Sequence, residues 1–142
     1  MSIGRDPART YATDAIAVEW EPKLCIHTQN CVRGLPQVFD GSRRPWVQMD
    51  AADDAVAATV LTCPTGALQF RRLDGGPQEE PDAETRIEPG PNGPLFARGR
   101  VRIVDADGEL IREDTRVALC RCGASKNKPF CDGSHRAIGF RS

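Results

Sequence analysis

The chain reads as α+β, with a small mixed unit followed by a mainly-β one. Two observations predict this. Six cysteines fall into two sets of unlike spacing, and an acidic, proline-rich stretch separates two regions of short alternating apolar runs. Residues 1–73 hold eight basic and eight acidic side chains. Residues 74–94, "DGGPQEEPDAETRIEPGPNGP", hold six acids against Arg86 alone, with five prolines. Residues 95–142 hold ten basic side chains against six acids. The expected organisation is a first domain over 14–73, a self-repelling connector over 74–94, and a second domain over 95–142.

Each element follows from local pattern. Ile16, Val18 and Trp20 alternate as on a strand. "DAADDAVAATVLTC" predicts a helix, with Asp50 as its cap, Asp53 favouring its first turn, and Ala52, Val56 and Val60 on one face. Pro64 stops it after Cys63. "ALQFRR" predicts a short strand with Leu68 and Phe70 on one side. In the second unit "GRVRIV" and "ELIRED" flank "DADG", a hairpin signal, and "RVALC" predicts a third strand that delivers Cys120.

Composition excludes several functions. A net charge of −1 is wrong for a general nucleic-acid binder. The N-terminus carries no apolar run fit for a signal peptide, and no stretch nears the roughly 18 apolar residues of a membrane span. The expected compartment is therefore the cytoplasm, where clustered thiols point to metal more than to disulfides. No phosphate-binding glycine loop is present, and "DGG" at 74–76 is connector chemistry.

The densest signal is "CRCGASKNKPFCDGSH", residues 120–135. Cys120, Cys122, Cys131 and His135 are spaced C-x-C-x8-C-x3-H, and thiolates with a neutral imidazole serve iron or zinc. Gly133 permits a turn that brings His135 back towards Cys131. Structural zinc is the rival reading, since three cysteines and one histidine make an ordinary tetrahedral set. Zinc sites, however, usually leave two to four residues between the first two cysteines.

With Ser125, Pro129, Asp132, Gly133 and Ser134 also in place, the stretch resembles the CDGSH iron–sulfur (mitoNEET-like) signature throughout, over roughly residues 84–142. The resemblance implies a 2Fe–2S cluster, with Cys120 and Cys122 on the inner iron and Cys131 and His135 on the outer one. Ser125, Asp132 and Lys128 become candidates for supporting contacts. A neutral ligand in place of a thiolate raises the expected reduction potential.

The other cysteines are Cys25, Cys31 and Cys63, the last followed by Pro64. Bacterial ferredoxins use a C-x2-C-x2-C run and a Cys-Pro; here "CIHTQNC" keeps the outer cysteines, with Thr28 at the middle position. Three buried structural cysteines are the bland alternative. "LCIHTQNCVRGLPQVFD", "RPW" and "CPTGAL" resemble a divergent mono-cluster ferredoxin family, over roughly 14–73, which implies a small ferredoxin-like domain. Three thiolates favour a 3Fe–4S cluster, with 4Fe–4S as the alternative. His27 lies one position before the missing ligand and is expected beside the site.

The resulting expectation is a non-enzymatic electron carrier with two clusters, serving redox protein partners without nucleic acid or membrane. The alternative is a cluster carrier or redox sensor that hands its 2Fe–2S unit to apo-proteins, and a third reading is a zinc-stabilised interaction module. Monomer and homodimer both remain open. One prediction follows from the imidazole ligand, whose protonation breaks its bond to iron. His135→Cys is expected to keep its visible absorbance at mildly acidic pH longer than wild type. Equal rates of bleaching would remove His135 as the acid-sensitive ligand.

Overall fold

A computed structural model describes residues 9–142; the N-terminal stretch inspected for a signal-peptide core lies partly in residues 1–8, outside the described residues. The first sheet comprises β1 (Arg9–Ala12), β2 (Ile16–Trp20) and β3 (Leu68–Arg72), antiparallel in the order β1-β2-β3. Between β2 and β3 lie a 3-10 turn (Pro22–Leu24), α1 (Asn30–Gly34) and α2 (Asp53–Val60). The second sheet comprises β4 (Arg86–Pro89), β5 (Leu95–Val104) and β6 (Leu110–Leu119), also antiparallel, followed by the single turn α3 (Ser134–Ala137). The fold is α+β. Among the described residues no helix is long and apolar enough to cross a membrane.

Ile16 and Val18 bury their side chains completely on β2, facing Val56 and Val60 of α2 with Phe39 and Val47 in one core. Three elements differ from the sequence reading. Asp50 does not cap α2: the cap position is Ala52, without a side-chain bond, and Asp53 with Asp54 supply the favourable negative charge in the first turn. "RVALC" is not a separate third strand. It continues β6, because β5 is long enough to pair with it from Val104↔Leu110 to Leu95↔Leu119. The third strand is β4, drawn from the expected connector and paired with β5 from Arg86↔Arg98 to Pro89↔Leu95.

Three of the six acids of that stretch pair with arginines outside it. Glu79 pairs with Arg116, Asp82 with Arg98, and Asp74 with Arg72. Opposite charges from the two sheets draw the segment onto the body of the protein.

The two sheets share a core. Leu24 and Ala67 from the first half pack with Ala97, Val101, Val117 and Phe130 from the second. Gly66 marks the closest approach. Its φ is +76°, and a Cβ there would stand 2.5 Å from the Arg116 carbonyl oxygen. Only glycine fits such a gap without moving a backbone.

Arg116 spans the junction. Its side chain is 1% exposed, and its guanidinium donates to the carbonyls of Val60 (3.0 Å), Cys63 (2.7 Å) and Leu68 (3.0 Å). Two further bonds, each 3.0 Å, go to the Glu79 carboxylate. Removing one partner of a buried ion pair typically costs about 3–5 kcal/mol. Arg116→Gln is therefore expected to lose about that much in denaturant unfolding, whereas Arg102→Gln, in the exposed pair with Glu113, loses under about 1 kcal/mol.

The pair also sets a pH dependence. Burial pushes the Glu79 carboxyl up, but bonds from Arg116 and Thr115 outweigh it and hold the group below its ordinary 4.5. The resulting stability is present above pH 4.5 and is lost as pH falls through the lower folded value. Melting Glu79→Gln beside wild type down to pH 3 tests this. The variant should lack that part of the acid loss.

Candidate iron–sulfur centres

Cys25 follows the 3-10 turn and is held by its own N–H on the Pro22 carbonyl, 3.2 Å. The chain then coils through left-handed backbone at His27 (φ 59°) and Gln29 (φ 65°) to reach Cys31 in α1. Cys63 sits beyond the end of α2, its N–H on the Val60 carbonyl, with Pro64 ending the helix. The three thiols lie near enough to feel one another's charge. Burial first, then Cys63 and Cys25, together push Cys31 up to about 11. Cys25 is raised first by burial and also by Cys63. Thiols that resist ionisation in one another's company suit a cationic iron–sulfur group, which reverses that cost.

A second observation fits the same group. The Trp20 indole N–H is buried without a hydrogen-bond partner among the described residues. Its electrostatic effect falls on Cys25, whose thiol it pulls down. No formed hydrogen bond uses it among the described residues, so the N–H is a donor held in reserve beside the Cys25 thiol. The His27 Nδ1 is 3.9 Å from Cys25 Sγ. Thr28 uses its carbonyl to accept from Arg33, 2.8 Å.

In the second half, Cys120 and Cys131 are fixed by a short ladder. Cys120 N–H donates to Pro129, and Cys131 N–H to Ala118, each at 2.9 Å. Ser125 organises the intervening loop by donating to the Phe130 carbonyl (2.6 Å) and accepting from Asn127 N–H (3.0 Å). Asp132 accepts from Lys126 N–H (2.9 Å) and Ser134 N–H (3.0 Å). Its carboxyl lies below the ordinary value: burial raises it, and the Ser134 hydroxyl and these amides outweigh burial.

Gly133 has φ +88°, which turns the chain into α3 and carries His135 Nδ1 to 3.5 Å from Cys131 Sγ. Two donors about 2.1 and 2.3 Å from one tetrahedral metal stand about 3.6 Å apart, so this pair has the spacing of two ligands on one ion. Cys120, Cys122, Cys131 and His135 line one small enclosed cavity. Among the described residues no three such donors converge on a single-ion site. The arrangement is one of pairs, with Cys120 beside Cys122 and Cys131 beside His135.

The electrostatics favour metal-binding forms. Burial raises Cys120, but the N–H groups of Ser125 and Gly123, then Cys122 and the Lys128 ammonium, bring it below its ordinary value. Cys131 is raised by burial, against the Gly133 N–H that lies 3.4 Å from its sulfur. Burial and then the Arg136 charge lower His135, which keeps the imidazole neutral and able to donate to metal.

The two sites adjoin. Ile26, next to Cys25, packs with Cys131 and Ala118 in one small core. Arg136, next to His135, donates to the Ile26 carbonyl at 2.6 Å, and Asn127 donates to the Lys23 carbonyl at 3.1 Å. Sequence reading missed Arg116, Trp20 and Ile26; it placed the first two on strands, and no local signal marked their contacts.

Two sets of soft donors, one lining a cavity and served by backbone N–H groups, the other beside a spare N–H donor, define an iron–sulfur protein. Comparison with known families agrees. Residues 92–136 match the iron-binding zinc finger of CDGSH type, and residues 11–73 match the divergent 4Fe-4S mono-cluster family. The chain is 41% identical over 64 residues to an uncharacterized protein, YjdI, of Escherichia coli K12, covering 44% of this chain and 84% of that one. The YjdI of Escherichia coli O157:H7 matches equally. The chain belongs to the divergent 4Fe-4S mono-cluster family and carries a CDGSH iron-binding domain behind it.

Trp20→Phe removes the reserved N–H and leaves the ring's bulk. Hydrogen bonds to cluster sulfurs raise reduction potential. The substitution is expected to lower the potential of the N-terminal centre by about 20–60 mV, one hydrogen bond of about 0.5–1.5 kcal/mol in a one-electron couple. A redox titration followed by electron paramagnetic resonance should show the C-terminal centre unmoved.

Proposed function

We propose that the chain is a non-enzymatic electron carrier with two iron–sulfur clusters, working in a reducing, cytoplasmic compartment. The observation that carries this reading is the adjacency of the two donor sets through Ile26, packed on Cys131 and clamped by Arg136. Cys120, Cys122, Cys131 and His135 hold a 2Fe–2S cluster; Cys25, Cys31 and Cys63 hold the other. All six cysteines are free of disulfides, as ligand thiols must be. Bound clusters supply one-electron chemistry, while the protein sets potential and exposure.

The residues perform those tasks separately. Ser125 and Asp132 fix the loop geometry, so little has to reorganise when charge changes. The amides on Cys122 and Cys131, at 3.4 Å, and the Lys128 charge near Cys120 stabilise added negative charge. Arg116 fixes the Cys63 backbone, and the ladder fixes Cys120.

For the N-terminal site the thiolate count favoured 3Fe–4S, whereas the matched family is described as 4Fe–4S. We carry the 4Fe–4S reading, in which one iron lacks a protein thiolate because Thr28 stands at the fourth position. Half-exposure of Cys120 and Cys122 favours a second reading, transfer of the 2Fe–2S unit to apo-proteins. Loss of cluster colour to an apo-ferredoxin, at a rate set by His135, would support it over electron transfer alone.

Iron, zinc and acid-labile sulfide on anaerobically purified protein test the main reading. About six irons and six sulfides per chain are expected; about five irons would restore 3Fe–4S. Zinc in place of iron, without colour, would overturn the electron-carrier reading.

A further inference from the structure

Ion pairing is uneven across the surface. Arg72, Arg98, Arg102, Arg112 and Arg116 each face an acid. Between residue 115 and the C-terminus stand six basic residues and one acid, Asp132. That carboxylate is spent on the amides of Lys126 and Ser134. Arg116 is buried, and Arg121 is spent on the carbonyls of Gly90 and Gly93, the Ser142 hydroxyl and the Phe140 ring. Lys126, Lys128, Arg136 and Arg141 remain exposed, with no ion pair to an acid among the described residues.

Two of these cations, Arg136 and Arg141, stand on an apolar cleft, while Lys126 and Lys128 lie on the loop between Cys122 and Cys131. Ile26, Pro91, Pro94 and Phe96 line a space of about 360 Å³, with Arg136 and Arg141 also on its walls. His135 and Thr28 reach the same cleft, so it opens beside both donor sets. An apolar centre with a charged rim is the make-up of a protein interface, and one sign of charge around a redox site steers partners of the other sign. The whole chain has net charge −1, so attraction for an anionic partner must be local to this face.

We propose that Lys126, Lys128, Arg136 and Arg141 form the docking face for an acidic protein partner, whose carboxylates enter the cleft between the two arginines. The partner's being a redox protein rests on the electron-carrier reading; the docking face itself does not. Two arginines on an apolar cleft, with two lysines on the neighbouring loop that carries Cys122 and Cys131, suit a compact acidic patch better than an extended nucleic-acid backbone.

The test uses full-length, cluster-loaded protein and a fluorescein-labelled octaglutamate peptide, followed by anisotropy. Binding is expected at low salt, weakening steeply towards 0.15 M. The pair Lys126→Glu with Lys128→Glu should weaken it about tenfold, as should Arg141→Glu with Lys128→Glu. Arg71→Glu, an exposed reversal on β3, should change it less than about twofold. Two double variants guard against misfolding of one, and iron content measured on each sample reports separately on the cluster reading. No binding, equal weakening by Arg71→Glu, salt-insensitive binding, or tighter binding of labelled octathymidylate would each overturn the docking face.

Discussion

The structure turns on the burial of one guanidinium. A charge withdrawn from water is tolerated only when its donors are satisfied. Arg116 meets that demand with backbone carbonyls at the end of α2 and the start of β3, and with the Glu79 carboxylate. The Arg116 guanidinium also adds to what those carbonyls already accept, since Val60 takes the Cys63 N–H as well. The last turn of a helix leaves carbonyls unpaired and carries partial negative charge, which a cation offsets. One side chain from β6 thus closes α2, anchors the backbone of Cys63 and draws in the acidic segment.

Geometry at the junction follows. With Arg116 inserted, β6 passes so close to Gly66 that no side chain fits there. The Cys25 segment is held from the same side, by Asn127 on the Lys23 carbonyl and Arg136 on the Ile26 carbonyl. Two of the three N-terminal thiols therefore sit on backbone fixed by the C-terminal half. Rigid donors lower the reorganisation that accompanies a change of charge, which is the property an electron carrier requires of its scaffold.

The sequence made the donor chemistry legible and the junction invisible. Cys120, Cys122, Cys131 and His135 lie within one loop, so spacing alone groups them, and the Ser125 and Asp132 contacts are equally local. Cys25 and Cys31 are six residues apart, and Pro64 marks Cys63. The alternation of Ile16 and Val18 identified β2 because one face of that strand is buried. What failed was long-range. Arg116 lies 37 residues from Glu79 and 53 from Cys63, and nothing periodic links such pairs. The acids of 74–94 looked mutually repelling because the arginine partners of Asp74, Glu79 and Asp82 lie outside that stretch. Asp50 looked like a cap because it precedes an apolar run, yet the helix begins three residues later.

Small size explains why the halves merge. A unit of about 60 residues buries too little surface for a generous stability margin, and metal or added contacts usually make up the difference. Here Leu24 and Ala67 on one side, with Val117 and Phe130 on the other, form an apolar centre that neither half completes alone. Sharing it brings Ile26 against Cys131 as a direct consequence of packing. Separate domains on a flexible connector would let the distance between their centres fluctuate. A shared core holds one distance, and the same contacts that make two small domains stable also keep their donor sets adjoining.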